Sequence, residues 1–254
     1  MTSKILTRDM NGKSFDKRFH YRSVIRKLNY LEKGTRSDIS HITHQCARFS
    51  KNPKESHVKA IWWLVRYLKG TKNEGLILNP DRDKGIELFV DANFAGNRDN
   101  SDTASPDTAR SRHGYIIKFM GCPIVWKSQL QQEIALSSTE SEYTGLSYAL
   151  RDAIPIMHLV TEMHTLGFIT MYSKPKVYCH IYEDNSGALE MAKVHKYRPR
   201  TKHINVKYHH FRGYVSDGKI KLYPISTTIQ PADIFTKPLP KELLIRHRLR
   251  LMGW

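Results

Sequence analysis

The chain has 254 residues, 40% of them hydrophobic, and carries 41 lysines and arginines against 24 aspartates and glutamates, a formal charge of +17. A surplus of that size favours a polyanionic partner, because neutralising phosphates releases counterions. No run of about 18 apolar residues is present, and the N-terminal string MTSKILTRDMNGK lacks the apolar core of a signal peptide; both speak for a soluble, intracellular chain, in a cytoplasmic particle or the nucleus, without a membrane partner.

Residues 1–15 are polar and unpatterned, and 1–20 are expected to form a flexible tail. From 21 to 31 the apolar positions Val24, Ile25, Leu28 and Leu31 recur at helical spacing, as do Val58, Ile61, Trp62, Val65 and Leu68 from 57 to 68. The polar stretch from Gly70 to Gly85, with Asn79-Pro80-Asp81, marks a boundary, so 21–80 is expected as a small helical region. At Ile86 the pattern turns to alternation, predicting a strand that ends at Asp91. Tyr115 to Phe119 and Ile124 to Lys127, joined by Met120-Gly121-Cys122-Pro123, read as a hairpin beside it. There follow a helix from Thr139 to Arg151, a strand from Val177 to Tyr182 and a short helix from Ser186 to Lys193. A long basic helix from His203 to Ser216, a strand from Ile220 to Tyr223 and a helix opening near Pro231 complete the pattern. The expected architecture is α/β: a mixed five-stranded sheet flanked by helices over 85–240, with a basic helix or tail over 241–254. Cys46, Cys122 and Cys179 are isolated and odd in number, which argues for reduced thiols rather than a zinc or disulfide framework.

Four carboxylates stand where a strand ends or a helix begins: Asp91 in VDANFAG, Glu142 in SSTESEY, Asp184 in YEDNSGAL and Asp233 in QPADIFTK. A fold can bring such positions to one point, where like charges repel and divalent cations remove the penalty. A carboxylate-and-water site suits Mg²⁺ or Mn²⁺, and two such ions can activate water and stabilise the leaving oxygen of a phosphodiester. Each residue has a plainer explanation as well. Thr139 and Glu142 could form a capping box; Asp184 could be a helix N-cap, although Asn185 can fill that role alone. Asp233 could merely complement a helix dipole, and Asp91 could merely end a strand. Helical geometry favours Glu142 over Glu140, because Glu142 shares the inward stripe of Leu146 and Leu150 while Glu140 lines up with Thr144, Ser147 and Arg151. Glu183, Asp99, Asp102 and Asp107 read as solvated charges.

Residues 193–212 hold Lys193, Lys196, Arg198, Arg200, Lys202, Lys207 and Arg212, four histidines and no acid. With Ile204, Tyr208, Phe211 and Val215 as the apolar stripe, the cations fall on the exposed side, suited to a nucleic-acid backbone. A solubilising face or a membrane-surface helix is the alternative.

Seven strings carry a family resemblance: YRSVIRKLNYLEKGTRSDIS, HVKAIWWLVRYLKGT, IELFVDANFAGN, SRHGYIIKFMGCPIVWKSQLQQEIALSSTESEY, YEDNSGAL, RTKHINVKYHHFRGYV and QPADIFTKPL. In this order they resemble the C-terminal part of the polyprotein of copia-type long-terminal-repeat retrotransposons, where reverse transcriptase runs into ribonuclease H. The resemblance implies a ribonuclease H-like fold and hydrolysis of the RNA strand of an RNA·DNA hybrid. It implies that Asp91, Glu142, Asp184 and Asp233 hold two Mg²⁺ ions, with Mn²⁺ as a possible substitute. It makes the first 80 residues a connection following the polymerase palm and thumb, with the palm as a partner in the parent polyprotein. The polymerase's Y-x-D-D motif is absent, so no DNA synthesis is expected from this segment. Family ribonucleases H often carry a histidine shortly before the last aspartate; Ser226-Thr227-Thr228-Ile229 has none. An inactive nucleic-acid-binding remnant is the rival reading, and a scaffold within a retroelement particle a weaker one.

Overall fold

Apolar residues recurring every three or four positions fold the first part of the chain into helices α1 (Tyr21–Gly34) and α3 (Glu55–Gly70), with α2 (Ser40–Ala47) between them. In this computed structural model residues 5–16, 18–98, 105–168, 179–193 and 206–254 are described, with the backbone alone for 106, 206 and 207. Tyr21, Ile25, Leu28, Ile39, Val58, Ile61 and Leu64 form the core of this helical region. The stretch read as a tail lies against it over its described part. Leu6, Phe15 and Phe19 pack on the core, and the Glu55 amide donates to the Lys13 carbonyl.

The alternation from Ile86 yields β1 (Ile86–Asn93). A four-residue turn of helix, α4 (Pro106–Ala109), precedes β2 (Arg112–Phe119) and β3 (Cys122–Leu130). The hairpin is tighter than its sequence suggested: Met120 and Gly121 alone make the turn, with φ of 53° and 78°. Such primed turns match the twist of paired strands, and glycine enters them without penalty. β4 (Cys179–Glu183) and β5 (Ile220–Pro224) complete a sheet ordered β3-β2-β1-β4-β5, antiparallel across its first three strands and parallel across β1, β4 and β5. Three antiparallel strands followed by strands alternating with helices is the order that the ribonuclease H fold requires. Residues 177 and 178, expected to start β4, lie outside the described residues.

One face of the sheet is covered by α5 (Ser138–Thr165) and α6 (Ser186–Lys193). The inward stripe of α5 continues through Ala153 and Met157, which carries the helix well past Arg151, where its pattern had been expected to stop. The long basic helix expected from His203 to Ser216 is instead a 3₁₀ turn at Val206–His209 and the short α7 (Arg212–Ser216). Tyr208 and Phe211 are both buried in the core, and a break between them satisfies that burial as well as a helix would. Residues 203–205 lie outside the described residues. On the opposite face sit α8 (Asp233–Thr236) and the basic α9 (Lys241–Met252), packed on Ile116 and Phe89. Gly114 makes that close approach possible, since a Cβ there would lie 2.4 Å from the Phe235 Cβ.

The helical region rests on the outer strand, on the turn after β1 and on α9: the Trp126 indole donates to the Glu32 carbonyl, Gln45 to Asn97, and Arg248 to the Tyr67 hydroxyl. Among the described residues no helix is long and apolar enough to cross a membrane.

Candidate metal centre

The β1–β4 ladder runs to the pair Phe89 and Tyr182, whose rings stack 4.7 Å apart. Asp91 lies two residues beyond Phe89 on β1 and Asp184 just past the end of β4, so both stand at the sheet's open end. Gln230 is buried there, and its amide nitrogen donates to the Val90 carbonyl at 2.8 Å and the Tyr182 carbonyl at 3.4 Å. One neutral side chain thus ties the two parallel strands together just below the acids.

Glu142 enters from α5. That helix is capped by Ser137, whose hydroxyl accepts from the Glu140 amide, while the Glu140 carboxylate accepts from the Leu136 amide. The capping pair is therefore Ser137 and Glu140, not Thr139 and Glu142. Glu142 is 6% exposed, and its Oε2 has no hydrogen-bond partner. Asn185 caps α6 through a bond from the Ala188 amide, which leaves Asp184 to the cluster. Among the described residues, ligand atoms of Asp91, Glu142 and Asp184 lie within 4.8 Å of one another.

Asp233, the first residue of α8, joins from the other face of the sheet. Lys237, one turn later, sets its ammonium 2.9 Å from Asp233 Oδ1 and 3.9 Å from Asp91 Oδ1. The Thr236 hydroxyl donates to Asp91 Oδ2. Sequence patterns alone did not single out Gln230, Thr236 or Lys237, although all three stand inside the string QPADIFTK that carries Asp233.

A fifth carboxylate corrects the sequence reading. Glu183, taken as a solvated strand-edge charge, is fully buried, with Oε1 accepting from the Asn185 amide and Oε2 unpartnered. β4 extends one residue further than expected, and the parity of Cys179 and Ile181 turns Glu183 inward. Asp107, by contrast, is half-exposed and paired with Arg110. Asp99 and Asp102 lie outside the described residues.

The electrostatics are those of an acid cluster short of cations. Burial, then Glu183 and Asp91, push the Glu142 carboxyl well above the usual range. Burial also raises Glu183, an effect opposed by the Asn185 amide and reinforced by Asp184 and Asp91. Asp91 is raised by burial despite Lys237 and Thr236. Asp233 reaches about 7 through burial and the Asp91 charge. Like charges held out of water favour the protonated forms.

The basic run is only partly visible. Lys193 is exposed at the end of α6. Lys196, Arg198, Arg200 and Lys202 lie outside the described residues, as does the side chain of Lys207. Arg212 turns inward, its Nε donating to the Tyr143 hydroxyl and its Nη2 to the Met191 carbonyl. Arg212 thus links α7 to both α5 and α6.

No family model matches the chain. It is 34% identical over 224 residues to the retrovirus-related Pol polyprotein from transposon TNT 1-94 of Nicotiana tabacum, an alignment covering 87% of this chain and 15% of that one. Over most of its length the chain is similar to a segment of the retrovirus-related Pol polyproteins of transposons. The polyprotein from transposon RE1 of Arabidopsis thaliana is likewise 34% identical over 221 residues, 87% of this chain and 14% of that polyprotein. The chain therefore spans about a seventh of these relatives' length. Among solved structures, the N-terminal RNase H domain of rv2228c from Mycobacterium tuberculosis, fused to maltose binding protein, is similar at 12% identity and a TM-score of 0.39, over 64% of this chain and 95% of that one.

Proposed function

We propose that this Pol segment is a ribonuclease H, a metal-dependent endonuclease that hydrolyses the RNA strand of an RNA·DNA hybrid. The observation that carries the reading is the convergence of Asp91, Glu142 and Asp184 within 4.8 Å at the end of the sheet. The donor set fits a hard divalent cation: all oxygen, mutually repelling, with Asp91 and Glu142 buried and Glu142 Oε2 unpartnered. Asp91, Glu142 and Asp184 would hold Mg²⁺ or Mn²⁺, with Asp233 beside Asp91 as a ligand to a second ion. When bound, such ions supply neutralising charge, a more acidic water and stabilisation of the leaving oxygen. The chain's own work is placement. Thr236 orients Asp91, Asn185 frees Asp184 by capping α6, and Gln230 sets the distance between strands.

Lys193 and the basic run through Lys202 would track the hybrid's backbone, and contacts to ribose 2′-hydroxyls would distinguish RNA from DNA. In this reading 85–240 is the nuclease unit and 21–80 the connection to the polymerase palm of the parent polyprotein, acting inside the cell. Replacing Lys196, Arg198, Arg200 and Lys202 together by Gln should weaken hybrid binding and flatten its log–log salt dependence by about 0.7 to 0.9 per lost contact. An unchanged slope removes the run from the interface.

The deciding assay is cleavage of a labelled hybrid with Mg²⁺ and with EDTA. Cleavage of the RNA strand that stops in EDTA is expected. Hybrid binding without cleavage assigns the chain instead to an inactive nucleic-acid-binding remnant, and equal cleavage of duplex DNA sinks the ribonuclease H assignment.

A further inference from the structure

The acid cluster already contains one cation. Lys237 follows Asp233 by one helical turn, so the turn that delivers the carboxylate also delivers the ammonium. Nζ lies 2.9 Å from Asp233 Oδ1 and 3.9 Å from Asp91 Oδ1, while the other Asp91 oxygen is held by Thr236. The charge balance across the cluster is therefore uneven. Asp91 and Asp233 share a lysine; Glu142 and Glu183 each keep a buried oxygen with no partner. The triad whose ligand atoms converge is Asp91, Glu142 and Asp184, and it leaves Asp233 out.

We infer that Lys237 is a built-in counter-cation occupying the Asp91–Asp233 side of the cluster, so that a first divalent ion enters at Asp91, Glu142 and Asp184 and a second must displace the ammonium. The inference rests on the metal reading above and adds an order of filling to it. Displacement is feasible because the lysine side chain is 32% exposed, against 4% and 3% for Asp91 and Asp233. Its stem is flexible, and a compact ammonium regains hydration when it swings outward. The same exchange keeps the folded chain tolerable without metal, since removing the lysine would leave two buried carboxylates facing each other.

The test is calorimetric titration of the full chain, stripped by chelator, with Mn²⁺ at about pH 8. The parent should bind one ion tightly and a second more weakly. Lys237→Gln should bind the second ion about tenfold tighter or more, since a cation adjacent to that position is gone. Lys237→Arg should titrate like the parent. As a readout that needs neither activity nor a substituted chain, the parent's Lys237 ¹⁵Nζ signal should be visible without metal, persist through the first equivalent of Mg²⁺ and vanish with the second. A second-ion affinity unchanged in Lys237→Gln, or an ammonium signal that persists with two ions bound, overturns the inference and leaves the metal reading intact. A parent that binds no ion overturns both.

Discussion

Asp233→Asn should stabilise the metal-free chain, and do so more as pH rises. Asp233 is 2% exposed, and burial with the Asp91 charge holds its carboxyl at about 7 rather than 3.8. The folded state therefore binds this proton more tightly than the unfolded chain does. Ionising the residue costs the fold nothing below the unfolded value, and stability then falls as pH climbs from about 4 to about 7. At about 1.4 kcal/mol for each tenfold difference in proton affinity, the full cost above pH 7 is about 4 kcal/mol. An amide has the carboxylate's shape without its charge, and Lys237 keeps Asp91 as a partner. The variant and the parent should thus unfold at similar urea concentrations near pH 4 in EDTA. Near pH 8 the variant should be more stable, by up to about 4 kcal/mol. Adding Mg²⁺ should raise the parent's stability at high pH and narrow the gap, because a bound cation removes the repulsion that the amide avoids. A variant less stable than the parent at high pH in EDTA, or a gap independent of pH, would refute the electrostatic account of the cluster.

Further substitutions separate the site from its supports. Glu142→Gln, like Asp91→Asn and Asp184→Asn, should abolish hybrid cleavage while leaving binding largely intact, whereas Glu140→Gln should keep activity and lose at most about 1 kcal/mol as a weakened cap; the opposite pattern in the cleavage assay discards Glu142 as a ligand. Gly114→Ala should push α8 away from β2, because the new Cβ would stand 2.4 Å from the Phe235 Cβ. A loss of about 1–3 kcal/mol in urea unfolding and reduced cleavage are expected, and a variant with parental cleavage would show that Asp233 need not be held so closely.

Strand β1 was legible because the alternation from Ile86 is a local signal, and the hairpin after it because Met120-Gly121 separates two apolar runs. Helix α2 was not, since its eight residues bury Ser40, His41, Thr43 and Gln45 alongside Cys46 and present no apolar stripe to read. The choice of Glu142 over Glu140 rested on helical geometry together with the family resemblance, and the observed cap gives Glu140 separate work at Ser137 and Leu136. Glu183 escaped because a charged residue at a strand's last position is usually wet; only the parity of Cys179, Ile181 and Glu183 could have turned it inward. Lys237 could have been found as the residue one turn after Asp233, where an opposite charge shares its face. The bonds from Arg212 to the Tyr143 hydroxyl and the Met191 carbonyl were not legible, because a basic run gives no sign of which member finds such acceptors.

Gln230 gives the cluster a property that its acids cannot supply themselves. A primary amide carries no charge at any pH in the range where carboxylates titrate, and its two hydrogens grip one carbonyl from each parallel strand. The gap between the Asp91 and Asp184 backbones is thus a mechanical dimension, fixed by a strut, rather than the outcome of a contest between repulsion and attraction. Carboxylates mounted on such a frame can change protonation or exchange one cation for another while the frame keeps its gauge.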